Sequence, residues 1–138
     1  MSYLPHDMPA PMPTLDTEEW WNACRRRELR FQKCAACGRL RHPPSPLCPS
    51  CHSLEISWHT SSGRGTVFSF TWVHHPFVPG LKDRGPYDVA VVVLEDAPGV
   101  RLVTNVVDVS PATLRIGVPV EVVWEEAGEF VLPRFRVR

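Results

Sequence analysis

Four cysteines between positions 34 and 51 constrain this chain more than any other feature. The stretch CAACGRLRHPPSPLCPSC, Cys34 to Cys51, holds them as two C-x-x-C pairs around a basic, proline-rich loop. A two-residue gap lets both sulfurs of a pair face one ion across a tight turn. Two such turns supply a tetrahedral set of thiolates from Cys34, Cys37, Cys48 and Cys51, the arrangement that structural zinc prefers. Gly38 follows the first pair, where the turn often needs positive φ, and His52 holds the matching and less comfortable place after the second. Iron in a similar site is the alternative ion, and a pair of redox dithiols is the alternative to a metal. The doubled spacing favours zinc. Four thiolates fill the coordination shell, so such an ion fastens the fold and has no open position for water or substrate.

A chain of 138 residues makes one ordinary domain or two small ones, and 43 % aliphatic and aromatic content is enough for a core. The N-terminal MSYLPHDMPAPMPTL lacks the basic and apolar regions of a signal peptide, and the longest apolar run, Val89 to Leu94, is far too short for a membrane span. A cytoplasmic location is expected, where paired cysteines point to metal or redox chemistry rather than structural disulfides. There are 15 basic and 15 acidic side chains, which counts against bulk attraction to nucleic acid or an anionic membrane. The charges are unevenly placed. Seven bases and one acid lie between Arg25 and Arg41, and eight acids and two bases between Asp88 and Glu129. This pattern suits either two solvated faces or a basic front with an anionic partner.

The pattern along the chain predicts a mainly β protein. Residues 1–14 read as an extended, proline-rich arm. Residues 15–58 read as a short helix and the cysteine module, and residues 59–138 as a barrel. The helix is expected to start with Asp16 as cap, Glu19 completing a capping box and Leu15 stapled onto Trp20, and to run to about Arg27. Trp20, Trp21 and Cys24 share one of its faces. Strands are expected at 65–74, 88–95, 100–109, 118–125 and 130–137, the first buried on both faces through Val67, Phe68, Phe70, Trp72 and Val73. Five short strands without helical period between them suggest a small closed or partly closed barrel. The one long connection is HPFVPGLKDRGPY, His75 to Tyr87.

No catalytic set emerges from the remaining residues. Cys24 reads as buried beside the tryptophans rather than as a nucleophile. His74 and His75 are adjacent on a strand and point to opposite faces. His42 and His52 flank the cysteines without being ligands. Glu95-Asp96 and Glu125-Glu126 read as solvated turn acids. Nucleophile-elbow, Walker and H-E-x-x-H motifs are absent. Lys82 and Arg84, with Phe77 and Tyr87, could grip a phosphate-bearing ligand, against a plainer reading as an exposed loop.

The order of motifs resembles a known family. A helix with Trp21 leads to Cys34-Ala-Ala-Cys37-Gly38, Pro43-Pro44 and Cys48-Pro-Ser-Cys51. Trp58 follows, then Gly63-Arg-Gly65-Thr-Val-Phe-Ser-Phe70-Thr, Pro86-Tyr87, Val-Val-Val-Leu-Glu95 and Ile116-Gly117-Val-Pro-Val120. This is similar to the proteins with a rubredoxin-like zinc ribbon and an OB-fold that accompany thiolase-like enzymes of acyl-CoA metabolism. The resemblance implies a five-stranded OB-fold barrel and a structural zinc. It also implies a non-catalytic role beside a thiolase, a steroid side-chain aldolase of lipid-transfer-protein type, an acetyltransferase or a hydroxymethylglutaryl-CoA synthase. The expected assembly is a hetero-oligomer with two copies of each chain. Coenzyme A or acyl-CoA would be shared with the partner, with Arg39, Arg41, Lys82 and Arg84 as the candidate contacts. A nucleic-acid-binding ribbon and OB-fold module is the competing reading, for which the neutral charge is unsuited.

Overall fold

The structure is a computed structural model that describes residues 3, 5 and 8–138; positions 1, 2, 4, 6 and 7 of the predicted arm lie outside the described residues. Among the described residues one α-helix, α1 (Glu18–Arg25), precedes eight strands. The helix starts later than the sequence pattern suggests. Thr17 is at the N-cap and makes no side-chain cap bond. Its hydroxyl instead accepts the Thr14 N–H at 2.9 Å. Glu19 is drawn away from the cap by Arg30 (2.7 Å) and Arg26 (3.2 Å), and Leu15 is 93 % exposed, so neither capping box nor staple forms. The far end closes with Arg27 at φ 59°, its N–H on Cys24 O and the Glu28 N–H on Ala23 O, both at 2.9 Å. Together these satisfy the last carbonyls of the helix.

The cysteine module is a three-stranded antiparallel sheet in the order β2-β1-β3, with β1 (Leu29–Cys34), β2 (Leu40–Arg41) and β3 (Ile56–Ser61). β3 pairs with β1 along its length, from Leu29 opposite Ser61 to Cys34 opposite Ile56. Burial alternates along β1 at Leu29 and Phe31, as the pattern requires. Gln32 on the other side is also buried, because its amide accepts the Ser45 N–H at 2.8 Å.

The second sheet has five antiparallel strands in the order β6-β5-β4-β7-β8. They are β4 (Arg64–Val73), β5 (Tyr87–Leu94), β6 (Arg101–Thr104), β7 (Pro119–Ala127) and β8 (Phe130–Val137). β6 is shorter than expected because the chain leaves β5 and turns to meet β8. Val106 bridges Phe135 in parallel, with Val107 N–H on Phe135 O at 2.7 Å and Phe135 N–H on Asn105 O at 3.1 Å. This contact curls the sheet into a half-barrel. β4 is bulged at Phe68, between Val67 and Ser69. Phe68 is 44 % exposed under the Arg101 guanidinium at 4.1 Å, so β4 is not buried on both faces as the apolar run suggested. Extra twist at the bulge re-aims that side chain outward.

One hydrophobic cluster joins the two modules. Trp20, Cys24, Leu29 and Phe31 continue into Val67, Ala90, Val92, Leu102, Val120 and Phe135. Trp21 packs edge-on against Phe130 at 5.4 Å, which seats α1 on β8.

Candidate functional site

The four cysteines converge. Cys34 ends β1, and the other three lie in the two turns that follow. Each pair is held by the same two backbone bonds. Gly38 N–H bonds to Cys34 O (2.9 Å) and His52 N–H to Cys48 O (3.0 Å). Cys34 N–H bonds to Arg39 O (2.9 Å) and Cys48 N–H to Ser53 O (3.0 Å). Gly38 and His52 both take positive φ, 80° and 62°, so the second turn copies the first despite its side chain. All four Sγ atoms lie within 4.8 Å of one another, with Cys34–Cys51 at 3.5 Å and Cys37–Cys48 at 3.6 Å. Zn–S bonds of about 2.3 Å in a tetrahedron place sulfurs roughly 3.8 Å apart. The set therefore fits such an ion.

The electrostatics ask for a cation. The Cys37 N–H on Cys34 Sγ lowers that thiol's pKa, and the Cys51 N–H brings Cys48 down to about 6. Cys51 receives the Ser53 N–H, yet the neighbouring sulfur of Cys34 pushes it up to about 11. Sulfurs this close cannot all ionise unless a positive charge sits among them.

The basic loop between the pairs is divided in role. Arg39 donates to the Ser50 hydroxyl on an exposed edge. Arg41 is 8 % exposed and donates to Ser45 O at 3.0 Å, so its guanidinium braces the loop from inside and is not displayed beside Arg39. His42 lies against Trp20 (4.5 Å between ring centres) and Phe31 (5.6 Å), and burial lowers its pKa to about 4, leaving it neutral near pH 7. In the long loop, a 3-10 turn at Pro79–Leu81 buries Leu81, while Lys82 and Phe77 are exposed. The Arg84 guanidinium stacks on the Tyr3 ring at 4.2 Å and lies 6.0 Å from that of Tyr87. No hydrogen bond or ring contact among the described residues links Arg39 and Arg41 to Lys82 and Arg84. Cys24 is fully buried, and burial raises its thiol to about 12, which makes it a poor nucleophile. His52, His74 and His75 are exposed.

A polar network at the barrel seam escaped the sequence pattern. Asp88, 1 % exposed, accepts the Val106 N–H at 2.7 Å and the Tyr3 hydroxyl at 2.5 Å. The Asn105 amide donates to Asp88 O and its oxygen accepts from Arg134 at 2.6 Å. Arg134 also donates to Glu125 at 2.9 Å, with both side chains buried. Glu125 is therefore not a solvated turn acid, whereas Glu126 is exposed and pairs with Arg27 at 3.0 Å. The only hint was an aspartate heading an otherwise apolar strand. Asp96 likewise accepts from Ser61 (2.6 Å) and Ser62 (2.7 Å), which joins the end of β3 to the turn after β5. Two clefts flank the seam. One of about 340 Å³ lies between Pro5, Met8 and Pro9 and the Phe130–Leu132 segment. The other, about 280 Å³, lies where Trp20, Trp21 and His42 face Leu102, Leu132 and Arg134.

Comparison with known proteins follows this layout. Residues 21–57 match the family described as "ChsH2, rubredoxin-like zinc ribbon domain", and residues 58–125 match "ChsH2, C-terminal OB-fold domain". The chain is 43 % identical over 129 residues to the probable enoyl-CoA hydratase alpha subunit of Thermomonospora curvata, covering 93 % of this chain and 39 % of that protein. It is 42 % identical over 116 residues to the 3-oxo-4,17-pregnadiene-20-carboxyl-CoA hydratase alpha subunit of Mycobacterium tuberculosis, covering 84 % and 36 %. It thus spans well under half of both relatives. A DUF35 domain-containing scaffold protein of Methanothermobacter thermautotrophicus is matched over most of both chains, 86 % and 87 %, at 32 % identity. Among solved structures, "Ltp2-ChsH2(DUF35) aldolase" superposes with a TM-score of 0.83 and 42 % identity, covering 93 % of this chain and 98 % of the other. With ribbon and barrel matched in order, and a solved chain matched over nearly its whole length, the protein belongs to the ChsH2 (DUF35) family of zinc ribbon and OB-fold proteins.

Proposed function

We propose that this chain is a non-catalytic subunit that binds and supports a thiolase-like or lipid-transfer-protein-like acyl-CoA enzyme. The partner would make or break C–C bonds, as in thiolysis or retro-aldol shortening of a steroid side chain. One observation carries the reading: the near-complete match to a chain of a structure whose name pairs ChsH2(DUF35) with Ltp2 as an aldolase. A relative named as a scaffold protein points the same way. The chemistry of the chain is compatible. Its thiolates form a closed set suited to one structural zinc ion held by Cys34, Cys37, Cys48 and Cys51. The cysteine outside that set, Cys24, is buried with its thiol pushed up to about 12, which makes it a poor nucleophile. Hydratase activity is in the names of the two longer relatives, of which this chain spans well under half.

Coenzyme A is proposed to reach the chain at Arg39 and at Lys82 and Arg84, whose side chains are exposed; Arg41 acts from inside the ribbon. The competing reading as a nucleic-acid module loses support because Arg26 and Arg30 are tied to Glu19 and Arg41 is buried. Co-expression with the neighbouring reading frames, followed by native mass measurement and metal analysis, tests the proposal. The expected result is a hetero-oligomer with two copies of each chain and one zinc per copy of this one. A partner that is fully soluble and active alone would sink it. Tight, steeply salt-dependent binding of single-stranded oligonucleotide would favour the competing reading.

A further inference from the structure

Among the described residues, Tyr3 of the N-terminal arm meets both the head of β5 and the long loop before it. The Tyr3 hydroxyl donates to Asp88 Oδ1 at 2.5 Å and accepts the Asp88 N–H at 3.3 Å. Asp88 heads β5, is 1 % exposed, and holds the seam through Val106, so it is a rigid anchor. The Tyr3 ring then presents one guanidinium at 4.2 Å, that of Arg84, and lies 5.5 Å from a second, that of Arg134. Arg134 is held in the buried pair with Glu125, whereas Arg84 is exposed and makes no ion pair among the described residues. The Arg84 guanidinium also hydrogen-bonds the Tyr3 side chain, and the N–H groups left over are the kind that grip a phosphate in bidentate fashion. Stacking also removes much of the rotamer freedom that binding would otherwise have to freeze. Lys82, two positions away and exposed, adds a second positive charge on the same loop.

We propose that Tyr3 is a positioning residue for an anion site on the 75–86 loop: anchored on Asp88, its side chain holds Arg84 so that the remaining guanidinium donors serve a phosphate-bearing ligand. This rests on the reading that the loop contacts coenzyme A, and it adds the arm as a working part of that site. The arm and the loop would order together, so losing the ring loosens the loop as well as the ligand.

The full-length, metal-loaded chain is compared with Tyr3→Ala, Tyr3→Phe and Arg84→Gln variants, each checked for unchanged zinc content. Limited trypsin digestion, with mass spectrometry of cleavage after Lys82 and Arg84, reports loop order. Calorimetric titration with coenzyme A, and separately with inorganic pyrophosphate, reports the site. The expected result for Tyr3→Ala is cleavage at least fivefold faster at both bonds and coenzyme A binding at least fivefold weaker. Tyr3→Phe keeps the ring but loses the hydroxyl anchor on Asp88, and should fall between wild type and Tyr3→Ala in both cleavage and binding. Arg84→Gln should speed cleavage after Lys82 and abolish the pyrophosphate response. Wild-type binding by Tyr3→Ala overturns the proposal, whatever the cleavage rate. So does unchanged cleavage. If no chain binds either probe, the anion site and the coenzyme A reading of the loop fall together, even where Tyr3→Ala is cleaved faster; pyrophosphate binding without coenzyme A binding overturns the coenzyme A reading alone.

Discussion

Glu125 on β7 and Arg134 on β8 form an ion pair of 2.9 Å with both side chains about nine-tenths buried, and Asn105 holds a second donor of the same guanidinium at 2.6 Å. The pair sits where β8 meets the segment after β6, so it fixes the seam of the half-barrel. Removing one partner of a buried pair strands the other charge out of water. Glu125→Ala is therefore expected to destabilise by about 3 kcal/mol in urea titration. A loss below about 1 kcal/mol would show that the pair acts like an exposed one.

The two positive-φ turns of the cysteine cluster give opposite expectations. A Cβ at Gly38 would meet only Lys33 Cε at 3.9 Å, so Gly38→Ala costs conformational energy alone, about 1 kcal/mol. His52 already bears that strain at φ 62°, so His52→Gly should stabilise by about 0.5 kcal/mol without changing zinc content. Gly65 differs from both. A Cβ there would lie 2.1 Å from Val93 O of the paired strand, and Gly65→Ala should cost about 3 kcal/mol. Thermal melts should rank His52→Gly highest, then Gly38→Ala, then Gly65→Ala.

His42 makes stability depend on pH. Its folded pKa is near 4 because burial disfavours the charged ring, against about 6.5 when unfolded. Below pH 6.5 the unfolded chain binds the extra proton, so the stabilising term is complete above 6.5 and is lost as pH falls toward 4. The full loss is on the order of 3 kcal/mol. His42→Phe preserves a ring against Trp20 and Phe31 and should flatten the stability slope between pH 6.5 and 4. Equal slopes in the two proteins would count against a buried neutral His42.

Metal removal should act on the ribbon first. Chelation strips the ion and Cys34→Ser removes its ligand at the end of β1, and either is expected to unfold the β2-β1-β3 sheet. Trp20, 6 % exposed against Phe31 and His42, should then shift its emission to the red. An emission spectrum unmoved by chelation would mean that the ribbon holds without its ion.

Much of this was legible in the linear pattern. The doubled C-x-x-C spacing announced the cluster, and turn residues separated the five barrel strands, all but β6 near their observed bounds. Burial of Cys24 followed from its spacing with Trp20 on one helical face. What failed were local inferences about polar groups whose partners lie far along the chain. Glu19 looked like a capping residue until Arg30 took it. Glu125 looked like a solvated turn acid until the strand hairpin set Arg134 beside it. Arg41 looked like display and became a brace, because its strand lies beside β1 with Gln32 opposite.

The sequence by itself determined the donor set at positions 34, 37, 48 and 51 and the succession of helix, ribbon and five strands. Ligand spacing, period and turn chemistry are short-range properties written into neighbouring residues. Only the tertiary structure decided which charges are inside, how the sheet curls through the Val106–Phe135 bridge, and that Tyr3 meets Asp88 from 85 positions away. Those outcomes depend on which distant groups can satisfy one another once water is excluded, and no local pattern carries that information.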